Sequence, residues 1–229
     1  MVINVRRSST VNQAIEQAAV AVAESLHSQL QTGKSVLWLL SGGSSLTIAT
    51  EAANLLTQTD TTNLYVTLTD ERYGLVGHKD ENWQQLLDSG FQLQNAQLYR
   101  PLTGGSLGDT TADFNTWLER TLALTDYKLG IFGIGADGHT AGIKPHSPAV
   151  ISQQFATSFK GDDFTRITIT PAVIGLLNEV VIQASGADKQ TILEEVLSLD
   201  VPTDDQPAQL LKNVHRSTLY TTNTLEGDL

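Results

Sequence analysis

The residues of this chain that could do chemistry lie in three short clusters that are rich in glycine or in charge. Residues 41–45 read Ser-Gly-Gly-Ser-Ser, residues 70–72 read Asp-Glu-Arg, and residues 133–141 read Gly-Ile-Gly-Ala-Asp-Gly-His-Thr-Ala. A glycine loop with hydroxyls can bind an anion, an arginine can bind an oxyanion, and a histidine can exchange a proton near neutral pH. The clusters therefore indicate anion binding beside a candidate general base.

The first cluster separates an apolar run from a helical pattern. Gly42 and Gly43 would let the backbone approach a ligand, and the N–H groups at the start of a helix attract anions. The hydroxyls of Ser44 and Ser45 would add donors. The same residues also suit a tight strand-to-helix turn with serine caps, and they match neither the Walker A loop nor the dinucleotide-binding fingerprint.

The second cluster follows a strand pattern at residues 64–68. It therefore lies at the carboxyl end of a strand, where open α/β sheets bind their ligands. Arg72 could grip an oxyanion there, and Asp70 could accept hydrogen bonds from sugar hydroxyls. The alternative is a solvated cluster of charges with an internal ion pair.

The third cluster also follows a strand pattern, at residues 129–134. His139 could act as a general base, and Asp137 could orient it or bind substrate. The alternative is a capping aspartate and a surface histidine in a glycine turn. A metal site of Asp137, His139 and His146 is a further alternative, although its spacing matches none of the common zinc motifs.

Two more cations stand where they could reach the same ligand. Arg166 lies within a strand pattern at residues 165–170, and Lys189 follows Ser-Gly-Ala-Asp at residues 185–188, at the start of a helix. Each could contact a phosphate, or could be a solvated charge at the end of an element.

The elements that must position these residues alternate between strand and helix along the chain. Such alternation predicts an α/β fold with a mostly parallel sheet flanked by helices. No linker divides the sequence, so we expect one domain over residues 1–229, and residues 102–111 are expected to form a surface loop. The predicted strands cover residues 2–5, 36–40, 64–68, 129–134, 165–170, 180–184 and, as an edge strand, 219–222.

Composition narrows the classes of function. The net charge of −11 disfavours nucleic acid and anionic membranes as partners, so a phosphate site must be built from local cations and N–H groups. There are no cysteines, hence neither disulfides nor thiolate metal sites. The sequence has no signal-peptide pattern and no apolar run of about 18 to 20 residues, and we expect a soluble, cytoplasmic, monomeric protein.

Taken in order, the motifs resemble the family that joins 6-phosphogluconolactonases with glucosamine-6-phosphate isomerases and deaminases. The resemblance spans about residues 5–200. It rests on the three clusters, on Asn82 after the second of them, on Arg-Ile-Thr-Ile-Thr from Arg166, and on Gly-x-x-Lys ending at Lys189. It implies a Rossmann-like parallel sheet with a phosphosugar site at the carboxyl ends of its strands.

The resemblance also implies roles for the candidate residues. His139 matches the general base that would take a proton from water as the water attacks a lactone carbonyl, and Asp137 and Asp70 would bind hydroxyls or steer that water. The oxyanion would need donors such as the backbone N–H groups of a glycine loop. The implied substrate is a phosphorylated sugar lactone, and no metal or organic cofactor is implied. The implied substrate-binding residues are Gly42, Gly43, Ser44, Ser45, Arg72, Arg166 and Lys189.

The residues after His139 distinguish two branches of the family. The deaminases carry a glutamate shortly after this histidine, whereas the chain reads Thr-Ala-Gly-Ile-Lys-Pro at residues 140–145. The lactonase branch is therefore expected, with departures from its usual pattern at Leu46, Gly74 and Lys144. The alternatives are an amino-sugar-phosphate isomerase or deaminase and a non-catalytic sugar-phosphate sensor.

Overall fold

Strands and helices alternate within residues 2–225, the part of the chain that the computed structural model describes. The strands are β1 (Asn4–Arg7), β2 (Val36–Leu40), β3 (Leu64–Leu68), β4 (Asp70–Arg72), β5 (Gln97–Leu98), β6 (Tyr127–Phe132), β7 (Ala156–Lys160), β8 (Thr165–Ile169), β9 (Glu179–Gln183) and β10 (Arg216–Thr221). The α-helices are α1 (Val11–Gln31), α2 (Ser45–Leu55), α3 (Asn82–Asp88), α4 (Leu107–Leu124), α5 (Pro171–Ile174) and α6 (Gln190–Ser198), and short 3-10 helices cover Ala187–Lys189 and Pro207–Asn213.

Seven of the strands form one parallel sheet in the order β1-β10-β9-β6-β2-β3-β5. Strand β2 pairs with β6 on one side and β3 on the other, and all five of its residues are buried. Its continuous apolar sequence suits a strand that is covered on both faces by helices. The predicted α/β fold with a mostly parallel sheet is confirmed.

Alternate residues of β2 point into two separate cores. Leu37 and Leu39 pack in the core that includes residues of α4 and α6, whereas Trp38 and Leu40 pack in the core that includes residues of α1 and α2. Each of these side chains contributes roughly 1.5–3 kcal/mol by leaving water. The two cores hold helices on both faces of the sheet, and the ends of its strands stay open for a site.

A second sheet is antiparallel, in the order β4-β8-β7. It begins directly after β3: the N–H of Thr69 donates to the carbonyl of Leu40 at 2.7 Å, and the N–H of Ile169 donates to the carbonyl of Thr69 at 2.8 Å. The sequence placed residues 70–72 at the end of β3 but did not predict that they form a strand of their own. The strand predicted at residues 165–170 exists, and it belongs to this second sheet.

Two local predictions were wrong. The strand predicted as an edge at residues 219–222 is β10, which lies inside the sheet between β1 and β9, where α1 packs against it. The loop predicted over residues 102–111 ends early, because Ser106 caps α4: its hydroxyl accepts a hydrogen bond from the N–H of Asp109 at 3.2 Å. The glycines before that cap hid the start of the helix.

The remaining predictions on organisation concern the ends of the chain. The first strand, predicted at residues 2–5, lies at Asn4–Arg7. The single domain over residues 1–229 stays a prediction, and residues 1 and 226–229 lie outside the described part. Between residues 2 and 225, none of the helices has the length and apolar character that crossing a membrane requires.

Candidate active site

The three predicted clusters meet in one cavity of about 400 Å³ at the carboxyl ends of β2, β6 and β9. The ends of parallel strands share one edge of the sheet, which brings together loops that are remote in the sequence. Residues of β4 and β8 in the second sheet also line the cavity. Asp137 is not part of the lining but contacts His139. The predicted residues that line it are Gly42, Gly43, Ser44, Ser45, Asp70, Arg72, His139, Arg166 and Lys189.

Two glycines shape the loop after β2. A Cβ on Gly42 would lie 2.5 Å from Asn82 Oδ1, and Gly43 has φ +66°, so other residues are disfavoured at both positions. Ser44 precedes α2 without capping it, because its hydroxyl donates to Gln183 Oε1 at 2.7 Å. The first N–H groups of α2 therefore remain uncapped by this serine at the cavity, where an anion could accept from them.

His139 is held at the cavity by Asp137 and by a glycine. Its ring nitrogen Nδ1 contacts Asp137 Oδ1, and its backbone N–H donates to the same oxygen at 3.2 Å. A Cβ on Gly135 would clash with the imidazole. With Nδ1 engaged, Nε2 is the nitrogen available for proton transfer. The hydrogen bond with His139, helped by the charge of Lys144, holds the pKa of Asp137 well below its usual range.

Asp70 is buried beside Arg166. Its Oδ2 lies 3.6 Å from Arg166 Nη1, and its Oδ1 accepts a hydrogen bond from the Thr69 hydroxyl at 3.1 Å. Burial raises the pKa of Asp70, and the charge of Arg166 and the hydrogen bond from Thr69 oppose that rise. With one hydrogen bond at Oδ1 and an ion pair at Oδ2, the carboxyl group keeps further acceptor capacity, so Asp70 could accept a hydrogen bond from a ligand hydroxyl.

Arg72 and Arg166 lie directly opposite each other on β4 and β8. Both guanidinium groups lie near the Phe164 ring, 4.7 and 5.7 Å from its centroid. Arg72 Nη1 donates to the carbonyl of Asp80 at 3.2 Å, and Arg166 Nη2 donates to Asp163 Oδ2 at 2.6 Å. The Nε–H of each is buried and has no hydrogen-bond partner among the described residues. Two like charges in register would repel, and an anion between them would relieve the repulsion.

Glu71 fixes the start of α3 and thereby Asn82. Its buried carboxyl accepts hydrogen bonds from the backbone N–H groups of Arg72, Asn82 and Trp83 at 2.7, 2.7 and 3.0 Å. Burial raises the pKa of Glu71 to about 8, and the three N–H donors oppose the rise. Asn82 Nδ2 donates to the carbonyl of Asp70 at 3.0 Å, while Oδ1 is buried without a partner in the described part of the chain.

Lys189 enters the cavity from the turn after β9. Gly186 opens this turn at φ +119°, and its N–H and carbonyl both bond to the Asn223 side chain at 2.9 Å. Lys189 Nζ lies 3.7 Å from Asp188 Oδ2. Because Asp188 is well exposed, this ion pair is weak, and the ammonium remains available to a ligand.

The metal alternative gains no support from the arrangement of the histidines. His146 Nδ1 lies 3.0 Å from Asp204 Oδ2, and its Nε2 lies 3.6 Å from Asp205 Oδ1. His139 instead contacts Asp137 and faces the cavity. The two histidines thus belong to different groups of side chains.

Several residues that line the cavity had no role predicted from the sequence. Asn82 was visible in the order of motifs, but nothing in the sequence showed that its Oδ1 is buried. Lys144 Nζ lies 3.4 Å from Asp137 Oδ2. Asp163 pairs with Arg166 from the β7–β8 turn, which was missed because β7 is half exposed and carries no apolar run. Gln183, which accepts the hydrogen bond from Ser44, also lines the cavity.

Comparisons of the sequence give a consistent result. The model of the family described as glucosamine-6-phosphate isomerases/6-phosphogluconolactonase matches residues 9–220. A 6-phosphogluconolactonase of Synechocystis sp. is 28% identical over 159 residues, which are 62% of this chain and 64% of that protein. One from Helicobacter pylori strain J99 is 27% identical over 167 residues, covering 69% of this chain and 72% of that protein.

Solved structures with the same fold share less of the sequence. A 6-phosphogluconolactonase from Shewanella baltica superimposes with a TM-score of 0.81 at 19% identity, covering 96% of both chains. One from Plasmodium vivax gives 0.82 at 19% identity, covering 98% of this chain and 92% of that chain. A monomeric glucosamine-6-phosphate deaminase gives 0.78 at 17% identity, with 96% and 97% covered. These likenesses show the fold and do not separate the two activities.

Proposed function

The chain belongs to the family of glucosamine-6-phosphate isomerases and 6-phosphogluconolactonases, and on that premise we propose that it hydrolyses 6-phospho-D-glucono-1,5-lactone to 6-phospho-D-gluconate. The curated relatives that match it are 6-phosphogluconolactonases at 27–28% identity. The substrate carries a phosphate at one end and an ester carbonyl at the other. A site for this substrate needs cations that bind the phosphate and, apart from them, a base that acts at the carbonyl.

One observation carries the proposal: two arginines with unused N–H donors share a cavity with a histidine that is oriented by a carboxylate. In a chain of net charge −11, the arginines supply a local positive potential for a phosphorylated ligand. Lys189 and the N–H groups at the start of α2 add to it. His139 with Asp137 supplies the base.

In the proposed reaction, His139 Nε2 takes a proton from water as the water oxygen bonds to C1 of the lactone. The C1 oxygen becomes an oxyanion, for which backbone N–H groups of a glycine loop would be donors. The oxyanion then collapses, the bond between C1 and the ring oxygen breaks, and His139 returns its proton to that oxygen. Asp137 stabilises the imidazolium that forms in between, and Asp70 would bind a sugar hydroxyl or steer the water.

The residues that follow His139 favour the lactonase over the deaminase function. A deaminase of this family needs a second acid after the histidine for ring opening, whereas the charged group that reaches Asp137 here is the cation of Lys144, 3.4 Å from Oδ2. Between His139 and Lys144 the chain has no acidic residue.

The test is hydrolysis of freshly generated 6-phosphogluconolactone, coupled to 6-phosphogluconate dehydrogenase. We expect rates well above spontaneous opening for the wild type and a kcat lower by on the order of 10³-fold for His139→Ala. His215→Ala, which changes an exposed histidine, is the control and should keep its activity. Background rates in the wild type, together with saturable binding of 6-phosphogluconate, would point to the sensor, and turnover of glucosamine 6-phosphate would point to the deaminase.

A further inference from the structure

Lys144 has no assigned role, yet it lies in the cavity next to the candidate base. Its Nζ is 3.4 Å from Asp137 Oδ2, and its side chain lines the cavity together with His139. We propose that Lys144 is a positioning residue: its ammonium holds Asp137 so that the other carboxylate oxygen keeps its contact with the His139 ring. This inference rests on the proposed hydrolytic function, because it assigns Lys144 to the same reaction.

The two oxygens of Asp137 have separate partners. Oδ1 contacts His139 Nδ1 and accepts the His139 N–H, whereas Oδ2 faces Lys144. A carboxylate that is held at one oxygen alone can rotate about its Cβ–Cγ bond, and the imidazole would turn with it. A second contact at the other oxygen fixes the plane of the carboxylate, which is the geometry that proton transfer at Nε2 requires.

A tight turn brings Lys144 back to Asp137. The N–H of Ile143 donates to the carbonyl of Thr140 at 3.0 Å, and Ala141 sits in the left-handed region at φ +51°. The N–H of Gly142 donates to the Thr168 hydroxyl at 3.1 Å, and a Cβ on Gly142 would lie 2.7 Å from Thr168 Cβ. The turn is therefore anchored on β8, and the direction of Lys144 follows from it.

Lys144 is one of several charged groups that line the cavity. The charged groups that the other elements contribute are Asp70 and Arg72 on β4, Asp163 in the turn before β8, Arg166 on β8 and Lys189 after β9. Removing Lys144 leaves these unchanged, so its effect can be read separately.

The kinetic test compares Lys144→Met, Lys144→Arg, Asp137→Asn and the double variant Lys144→Met/Asp137→Asn. We expect Lys144→Met to lower kcat about tenfold with KM within about threefold, and Lys144→Arg to restore most of the loss. In the Asp137→Asn background, Lys144→Met should change kcat less than about twofold, since its partner is gone. The control Lys212→Met removes a lysine–aspartate pair with Asp200 outside the cavity and should leave kcat unchanged.

Two kinetic outcomes would overturn the proposal. A tenfold rise in KM at constant kcat would mean that Lys144 contacts the substrate directly. Equal losses in the presence and absence of the Asp137 carboxylate would mean that Lys144 does not act through it.

A second measurement does not depend on activity. Crystal structures of the wild type and of Lys144→Met should differ in the orientation of the Asp137 carboxylate and of the His139 ring, because Asp137 Oδ2 loses the contact with Lys144 in the variant. The same orientation of both groups in the two structures would refute the proposed positioning role. Failure of the wild type to hydrolyse the lactone, together with a changed orientation in Lys144→Met, would refute the hydrolytic function but not the positioning of the Asp137–His139 pair by Lys144.

Discussion

Each end of the parallel sheet carries a buried carboxylate next to an arginine, but among the described residues only the carboxyl end has buried guanidinium N–H groups without a partner. At the amino ends of β6, β9 and β10, Glu179 Oε2 accepts hydrogen bonds from the hydroxyls of Ser25 at 2.5 Å and Tyr127 at 2.7 Å. Arg216 Nη2 lies 3.4 Å from Glu179 Oε1 and completes the group. Each oxygen of this carboxylate thus has a partner within the protein.

At the carboxyl ends, the Nε–H groups of Arg72 and Arg166 and the Oδ1 of Asn82 are buried without a partner among the described residues. An unpaired buried polar group costs about 1–3 kcal/mol, so three of them in one cavity are expensive for stability alone. The same residue types, an arginine beside a carboxylate, are therefore fully paired at the amino end, which we call the closed end. At the carboxyl end, which we call the open end, they leave N–H donors without a partner in the described part of the chain. A closed network stabilises the fold, whereas an open one is prepared for a ligand.

Replacing an arginine at each end should give the largest contrast. Arg166→Met removes the donor at the open end, and we expect the affinity for 6-phosphogluconate and kcat/KM for the lactone to fall about 10²- to 10³-fold. Arg216→Met at the closed end should leave both unchanged. Calorimetric titration and the coupled assay measure the two quantities, and equal losses in the two variants would remove the functional side of the comparison.

A substitution at the closed end should change the stability of the fold rather than the activity. Glu179→Gln cannot satisfy the two hydroxyls and the guanidinium together, so we expect the free energy of unfolding to fall by about 2–3 kcal/mol. Hydrolysis per folded molecule should stay at the wild-type rate. Urea unfolding measures the change against Glu119→Gln, an exposed acid on α4, which should cost almost nothing. A loss of activity at unchanged stability would contradict a purely structural role.

Substitution of Gly135 tests how precisely the His139 ring must be positioned at the open end. Gly135→Ala places a methyl group against the His139 ring, so the ring must move, and we expect kcat to fall on the order of thirtyfold at nearly unchanged thermal stability. In Gly133→Ala, two residues earlier, the new Cβ would meet nothing nearer than 3.9 Å, and a much smaller loss is expected. Equal kcat values for both variants would mean that the ring position is not limiting.

We expect the smallest effect on stability from the exposed ion pair of His146 with Asp204. Hydrogen bonding to Asp204 raises the pKa of His146, so its stabilisation is present below the ordinary value of 6.5 and is lost as the pH rises through the raised value. We expect Asp204→Asn to unfold about 1 °C or less below the wild type at pH 6 and at the same temperature at pH 9. A difference that grows toward pH 9 would have the wrong sign for this pair.

The sequence predicted the parallel sheet because its central strands carry their own signal. The runs at residues 36–40 and 64–68 lack charged residues and match β2 and β3 at both ends. The short β5 and the half-exposed β7 carry no such pattern, and only their neighbours make them strands. The order of the strands could not be predicted from the sequence either. The sequence of β10 resembles that of an edge strand and does not show that α1 packs against it.

The candidate site was predicted as a set of residues and not as a geometry. The glycine loops and the motif around His139 can be recognised from consecutive residues of the sequence. The register that sets Arg72 against Arg166 depends on the pairing of two strands far apart in the chain, and no local pattern encodes it. Lys144 was seen as a departure from the usual sequence, and its contact with Asp137 depends on the turn in between.

The pairing of β1 with β10 has a consequence for biosynthesis. In this pair Asn4 lies beside Thr218 and Arg7 beside Thr221, so β1 can be paired only after the ribosome has also synthesised β10. Until then the nascent chain presents β1 without its partner and leaves one side of β9 open. Such unpaired edges attract other strands and chaperones, so a chain whose synthesis stops before residue 216 should be recognised and degraded rather than accumulate.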